Sequence, residues 1–194
     1  MRIILASQSP RRRELLERVG IKDFAVAAPN VDESVEPGLA PAEMVERLSL
    51  RKAEAAAEKA EPEALIIAAD TVVALDGAVL GKPGDEEEAF AMLSALSGRE
   101  HHVYTGLTVW QGERRVTQHE ETAVVFRTLG PEEIRGYIAT GEPMDKAGAY
   151  GIQGVGALLV RGIQGDYCNV MALPVFRLGR ILTEFGVDLL QNKE

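Results

Sequence analysis

Asp70 stands in "ALIIAADTVVALDG" (64–77), with Leu65 to Ala69 before it and Val72 to Leu75 after Thr71. A carboxylate among branched apolar residues is rarely buried unless it is paired. The plain alternative is a strand that ends at Ala69, with Asp70 and Thr71 in a turn. The apolar run resumes past Thr71, which favours a functional carboxylate: a ligand for a divalent cation, a general base toward water, or both. Lys52 raises the same question in a helix. Val45, Leu48, Lys52 and Ala55 follow a 3-4-3 spacing that turns Lys52 toward the core, unless its stem runs along the helix edge with the ammonium in solvent. Its neighbour Arg51 is expected at the surface.

In "SPRRRE", Ser9 reads as a helix N-cap and Pro10 as the first helical residue. Arg11, Arg12 and Arg13 then fall where the helix dipole is positive, at a cost of roughly 0.3–1 kcal/mol for an exposed cation. An anion at that helix start removes the conflict, because backbone N–H groups and guanidinium forks together suit a phosphate chain. Lys82 in "LGKPGDEEEA" and Glu33 in "VDESVEPG" are unremarkable alone. Together with Asp70, Lys52 and the arginines they complete what phosphoryl chemistry needs: cations for the phosphates, and carboxylates for a metal and a water.

Glycines at 148, 151, 154 and 156 bring a backbone close to something. Such a loop can present N–H groups to a ligand, and Gln153 within it can read a base edge through its amide. Its spacing matches neither G-x-G-x-x-G nor G-x-x-x-x-G-K-[ST], which disfavours a dinucleotide dehydrogenase and a P-loop kinase. His101 and His102 are adjacent on an expected strand, so they point to opposite faces and share no metal.

The elements that must position these residues follow from periodicity. Strands are expected at 2–6 and 24–28, over the apolar run containing Asp70, and as an antiparallel hairpin at 101–110 and 115–127 around "QGER". Helices are expected at 10–19, 41–60, 85–97 with Asp85 as cap, 131–140, and 174–185 before Gly186. A loop rich in Pro, Asp and Glu covers 29–40. This order predicts a mixed α/β sheet flanked by helices. The 194 residues suit one domain, 1–194, with room for two lobes.

A net charge of −9 disfavours nucleic acid and anionic membranes as partners, so any anionic ligand must be held by a local cationic cluster. No apolar stretch approaches the roughly 18 residues of a spanning helix. "RIILAS" is too short for a signal-peptide core, and one cysteine, Cys168, forms no intrachain disulfide. A cytoplasmic protein is expected.

"LASQSPRRRELL", "AADTVV", "LGKP", "SGREHHVYTG", "DKAGAYGIQG" and "GDYCNVMALP" resemble the Maf family of nucleoside triphosphate pyrophosphatases, in the family's order from Ile4 to Pro174. The resemblance implies an inosine triphosphatase-like fold, a mixed twisted sheet flanked by helices in two lobes with a central cleft. It also implies a cytoplasmic homodimer that hydrolyses a nucleoside triphosphate to monophosphate and pyrophosphate with a divalent cation, Mg²⁺ first and Mn²⁺ second. Carried over by position, Ser7, Arg11, Arg12, Lys52 and Lys82 bind phosphates. Glu33 and Asp70 hold metal and water, with Asp70 the proton acceptor for attack at the α-phosphorus. Arg12, Thr71 and Gln153 match the subgroup acting on dTTP and UTP, not the one preferring 7-methyl-GTP. Arg13 matches no role and is expected in solvent. Ala172 stands where the family has glycine, a departure expected to bear on packing. Two rival classes stay open: a nucleotide-binding regulator of septation with little or no hydrolysis, and a broader house-cleaning pyrophosphatase acting on modified pyrimidine or purine triphosphates.

Overall fold

The computed structural model describes residues 1–34 and 38–191; residues 35–37 of the acidic loop lie outside the described residues. Seven strands form one mixed sheet: β1 (Ile3–Ala6), β2 (Phe24–Ala27), β3 (Leu65–Leu75), β4 (Ala78–Leu80), β5 (Glu100–Gln111), β6 (Arg114–Phe126) and β7 (Val160–Gln164). Their order is β2-β1-β3-β5-β6-β7, with β4 paired to β3. β1 runs parallel to β2 and β3, and all other pairings are antiparallel. Asp76 and Gly77 make the two-residue turn from β3 to β4, both at positive φ. Strand twist favours that conformation at both central positions of such a turn. The β5–β6 turn falls within "QGER", as expected.

Among the described residues, six helices flank the sheet: α1 (Pro10–Arg18), α2 (Pro41–Ala57), α3 (Glu86–Leu96), α4 (Pro131–Ile138), α5 (Tyr167–Val170) and α6 (Val175–Glu184). The Asp85 side chain caps α3 through the Glu88 N–H. One expected helix is corrected, and one element was not expected. α2 stops at Ala57, and the one-turn α5 carries too short a period to be read from sequence.

Alternation along β3 sorts its side chains between two faces. Leu65, Ile67 and Ala69 pack with Leu5, Leu16 and Leu178 beneath α1 and α6. Ile66 and Ala68 pack with Ala53 and Ala56 beneath α2. Beyond the middle of the strand a separate cluster takes over, with Val73, Leu75, Leu93, Phe126 and Tyr137. Asp70 and Thr71 belong to none of these clusters. They lie between these clusters, Asp70 on the α2 face and Thr71 on the α1 face.

α2 must lie close to the sheet for a lysine on it to reach Asp70. Gly106, opposite Asp70 in β5, allows this: a Cβ there would strike the Val45 carbonyl of α2. Hydroxyls then tie helix to sheet, Ser49 with Thr108 at 3.0 Å and Thr108 with Thr117 at 3.0 Å.

Against the cluster that holds Phe126, His101 is buried, with Nε2 2.8 Å from the Tyr150 hydroxyl and the ring edge-on to Phe126. Burial, with a smaller contribution from His102, lowers its pKa from 6.5 to about 4. The folded chain therefore holds this imidazole neutral in a range where the unfolded chain protonates it. Its contribution to stability is complete above about pH 6.5 and is lost as pH falls toward 4. The total is about 3 kcal/mol once both states are protonated. Urea unfolding at pH 7 and pH 4.5 should show this loss, and His101→Phe should flatten the slope.

Candidate active site

β3 pairs with β1 only through Ile67 and with β4 only from Val73 onward. Residues 68–72 keep their β5 partners, while among the described residues no register partner faces them on the opposite edge. A cleft of about 1180 Å³ opens at this edge. Ser7, Arg11, Arg12, Glu33, Lys52, Asp70, Thr71, Lys82 and Gln153, every site residue expected from sequence, line it. The open edge is what lets groups from opposite faces of the sheet share one cavity.

On the α2 face the Lys52 ammonium lies 2.5 Å from Asp70 Oδ1 and 2.8 Å from Glu33 Oε1. The Lys52 side chain is 14% exposed, so it points inward as its spacing predicts. Its hydrogen bond holds the Glu33 carboxyl below the usual range against the opposing effect of burial, and Lys82 and Arg12 add to it. Two carboxylates thus converge on one positive charge. Such an oxygen-only pair suits magnesium, which takes one or two protein carboxylates and completes its shell with phosphates and water. Among the described residues no third acidic, histidine or cysteine ligand joins them.

The loop that carries Glu33 is held by a residue expected at the surface. Arg51 donates to the carbonyls of Asp32 and Ser34 at 3.2 and 2.5 Å, on either side of Glu33. Asp32 accepts from the Ser34 N–H at 2.8 Å and from its hydroxyl at 2.7 Å. These two bonds close a local turn of the kind aspartate side chains form with the backbone two residues on.

On the α1 face Arg12 is buried and fully oriented. Nε donates to the Ala172 carbonyl at 2.9 Å, one terminal nitrogen to Ser7 Oγ at 3.0 Å, and the other to Thr71 Oγ1 at 3.1 Å. A guanidinium has five N–H groups, so one on each terminal nitrogen is left for a ligand. Burial lowers the Arg12 pKa and the Asp70 charge works the other way. Behind Thr71 the hydroxyl of Thr105 lies at 2.9 Å and donates to the Asn169 carbonyl, and Asn169 Nδ2 donates to Val103 and Thr122. Thr71, which the resemblance places in the subgroup set with Arg12 and Gln153, accepts from Arg12 on this face.

Arg11 lies 3.7 Å from Asp145 across the cleft mouth. Arg13 is exposed and lines no part of the cleft. Lys82 is exposed at the rim, and among the described residues it makes no ion pair. Ser9 takes the N-cap position but its side chain caps nothing, which corrects the expected cap; its N–H instead meets Ser7 Oγ at 3.2 Å. The first turn of α1, whose Pro10, Arg11 and Arg12 line the cleft, also holds no acidic residue.

The glycine-rich wall departs from expectation. Its close approach is to protein: a Cβ at Gly154 would stand 2.6 Å from Glu142 Oε2, and one at Gly156 would strike the Gly151 carbonyl. The N–H groups of Val155 and Gly156 go to the Glu142 carboxylate, not toward a ligand. Sequence reasoning missed Glu142. A glutamate after a helix carries no signal that its carboxylate gathers backbone donors far along the chain.

The Maf family model, described as Maf-like protein, matches residues 2–185. A dTTP/UTP pyrophosphatase of Symbiobacterium thermophilum is 54% identical over 96% of this chain and 95% of its own. One of Moorella thermoacetica is 53% identical over 97% of each chain. One of Bacillus pumilus is 49% identical over 95% of this chain and 97% of its own. Among solved structures, a HAM1 protein from Coxiella burnetii superposes with TM-score 0.53 at 15% identity over 95% of this chain and 99% of that one, a likeness of fold.

Ala172, where the sequence pattern leads one to expect glycine, sits at positive φ, in the left-handed half of backbone space. That region costs an L-residue roughly 1–2 kcal/mol. The strained peptide is the one whose carbonyl orients Arg12. Ala172→Gly should therefore raise stability by about 1 kcal/mol in urea unfolding. An unchanged midpoint would mean that the alanine carries no strain.

Proposed function

The chain belongs to the Maf-like protein family, and on that premise we propose that it hydrolyses pyrimidine nucleoside triphosphates, dTTP and UTP first, to the monophosphate and pyrophosphate. The observation that carries this reading is the Lys52–Asp70 contact, opening on the same cleft as the oriented Arg12 guanidinium. Relatives near 50% identity that bear the name dTTP/UTP pyrophosphatase support the choice of base.

Asp70 takes the proton from the water that attacks the α-phosphorus. Lys52 engages Oδ1, which leaves Oδ2 free to accept that proton and fixes the carboxylate in one orientation. The ammonium also offsets carboxylate charge that would otherwise repel the substrate. Arg12, already bound on three sides, meets developing charge on the phosphates with no further reorganisation. Arg11 and Lys82 receive the leaving pyrophosphate, and Ser7 helps to hold the phosphate chain at the start of α1.

Glu33 and Asp70 would hold the divalent cation, magnesium first and manganese second, which when bound supplies phosphate charge neutralisation and a more acidic water. Gln153 reads the base edge, and Thr71 acts on selectivity by setting Arg12. The same reading takes the chain as one domain, supported by a single sheet running from β1 to β7. From the family resemblance it takes the working form as a cytoplasmic homodimer.

Asp70→Asn should lower kcat at least about 100-fold, the scale of a lost general base, with a melting temperature close to the parent's. Near-parental turnover in that variant would overturn the role of Asp70. A panel of canonical and modified triphosphates with Mg²⁺ or Mn²⁺, followed by pyrophosphate release, tests the substrate. Purine preference contradicts the base reading, and inertness toward every member points to a binding protein.

A further inference from the structure

The glycine-rich wall of the cleft is anchored on one side chain. Glu142 begins a 3-10 turn (Glu142–Asp145) and lines the cleft. Its carboxylate accepts from the N–H groups of Val155 and Gly156, each at 3.0 Å, and from the Tyr137 hydroxyl at 2.9 Å. The Tyr137 oxygen in turn accepts the Gly151 N–H at 3.1 Å. Gln153 lies between these ties, so its backbone is pinned on both sides. Lys146 fixes the turn itself by donating to the Glu142 carbonyl at 2.6 Å. Burial pushes the Tyr137 phenol well above its ordinary pKa, which keeps it a proton donor to Glu142.

A carboxylate facing a cleft built for a polyanion works against binding unless its charge is engaged, and here three donors engage it. The glycines make this possible. Side chains at 154 and 156 would strike Glu142 and Tyr137, and one at 151 would strike the Lys146 stem.

The arrangement has a consequence for base selection. Uracil offers an acceptor at O4 and a donor at N3, and cytosine offers the reverse pair. A primary amide satisfies either one by turning over. An unrestrained glutamine therefore does not separate the two. Within this loop, discrimination then depends on where the backbone holds residue 153 and on the lack of other donors able to meet a base. Glu142 supplies both conditions, because it fixes the loop and consumes the N–H groups of Val155 and Gly156.

We propose that Glu142, assisted by Tyr137, is the positioning residue for base discrimination: it holds the Gln153 loop in one place and withholds the loop's own donors. This rests on the pyrimidine reading given under the proposed function. The test is kcat/KM for UTP and for CTP in the parent, Glu142→Gln and Tyr137→Phe. Amide hydrogen exchange at Val155 and Gly156 is followed alongside.

Glu142→Gln should lower the UTP/CTP ratio about tenfold, the equivalent of about 1.4 kcal/mol, through a rise in KM for UTP larger than any fall in kcat. Exchange at the two amides should speed up. Tyr137→Phe should lower the ratio less, and it carries the test should Glu142→Gln fail to fold. An equal loss for both nucleotides, or an unchanged ratio with the amides released, overturns the proposal. A parent that fails to prefer UTP over CTP defeats the underlying reading instead, and that result is visible before any variant is compared.

Discussion

A carboxylate in the middle of an eleven-residue strand, whose neighbours are nearly all buried, has to be paired. Asp70 is paired with the Lys52 ammonium at 2.5 Å. Much of the surrounding structure serves that contact. α2 must approach the sheet closely, which requires the missing side chain at Gly106. The chain of Ser49, Thr108 and Thr117 hydroxyls holds the helix there, where apolar packing alone would not fix its height. Once Lys52 is in place it draws in a second carboxylate, Glu33, from a loop that Arg51 secures by its backbone. Removing Lys52 would leave the Asp70 carboxylate uncompensated, whereas Lys52 without Asp70 keeps Glu33, so the site is more sensitive to loss of the lysine than of either carboxylate.

The second constraint is topological. Strand alternation sends Asp70 and Thr71 to opposite faces of the sheet, which would ordinarily separate the Lys52 side from the Arg12 side. β1 ends before Asp70 and β4 begins after it, so the edge between them is open and both faces reach one cleft. The cations are partnered in graded fashion. Lys52 has two carboxylates, Arg12 has neutral oxygens only, Arg11 has a loose contact with Asp145, and Lys82 makes no ion pair among the described residues. In a chain of net charge −9 these groups give a local attraction for phosphates that the overall field does not provide.

Legibility in the sequence followed how each residue acts. Asp70 and Lys52 violate a pattern, one in an apolar strand and the other on an apolar helix face, and such violations are visible without coordinates. The sheet and its long hairpin were legible because period-2 and period-3.6 segments are long there. The division among Arg11, Arg12 and Arg13 came only from the resemblance, since three like residues in a row differ only by their angle around α1. Residues acting through backbone groups left no trace: the Ala172 carbonyl that orients Arg12, the loop carbonyls held by Arg51, and the N–H groups gathered by Glu142. The glycines were legible as close approach, but its object was a carboxylate of the protein itself.

In the proposed function the triphosphate sits at the unpaired edge of β3, with the Lys52–Asp70 pair on one side and Arg12 on the other. Amide hydrogen exchange with and without α,β-imido-UTP, which resists cleavage at the α–β bridge, tests it most directly. Slower exchange is expected in the presence of the analogue at amides of 68–72 that do not face β5, at the start of α1, and along 151–154. Binding of the analogue with those amides unchanged, and protection elsewhere on the chain, would contradict it.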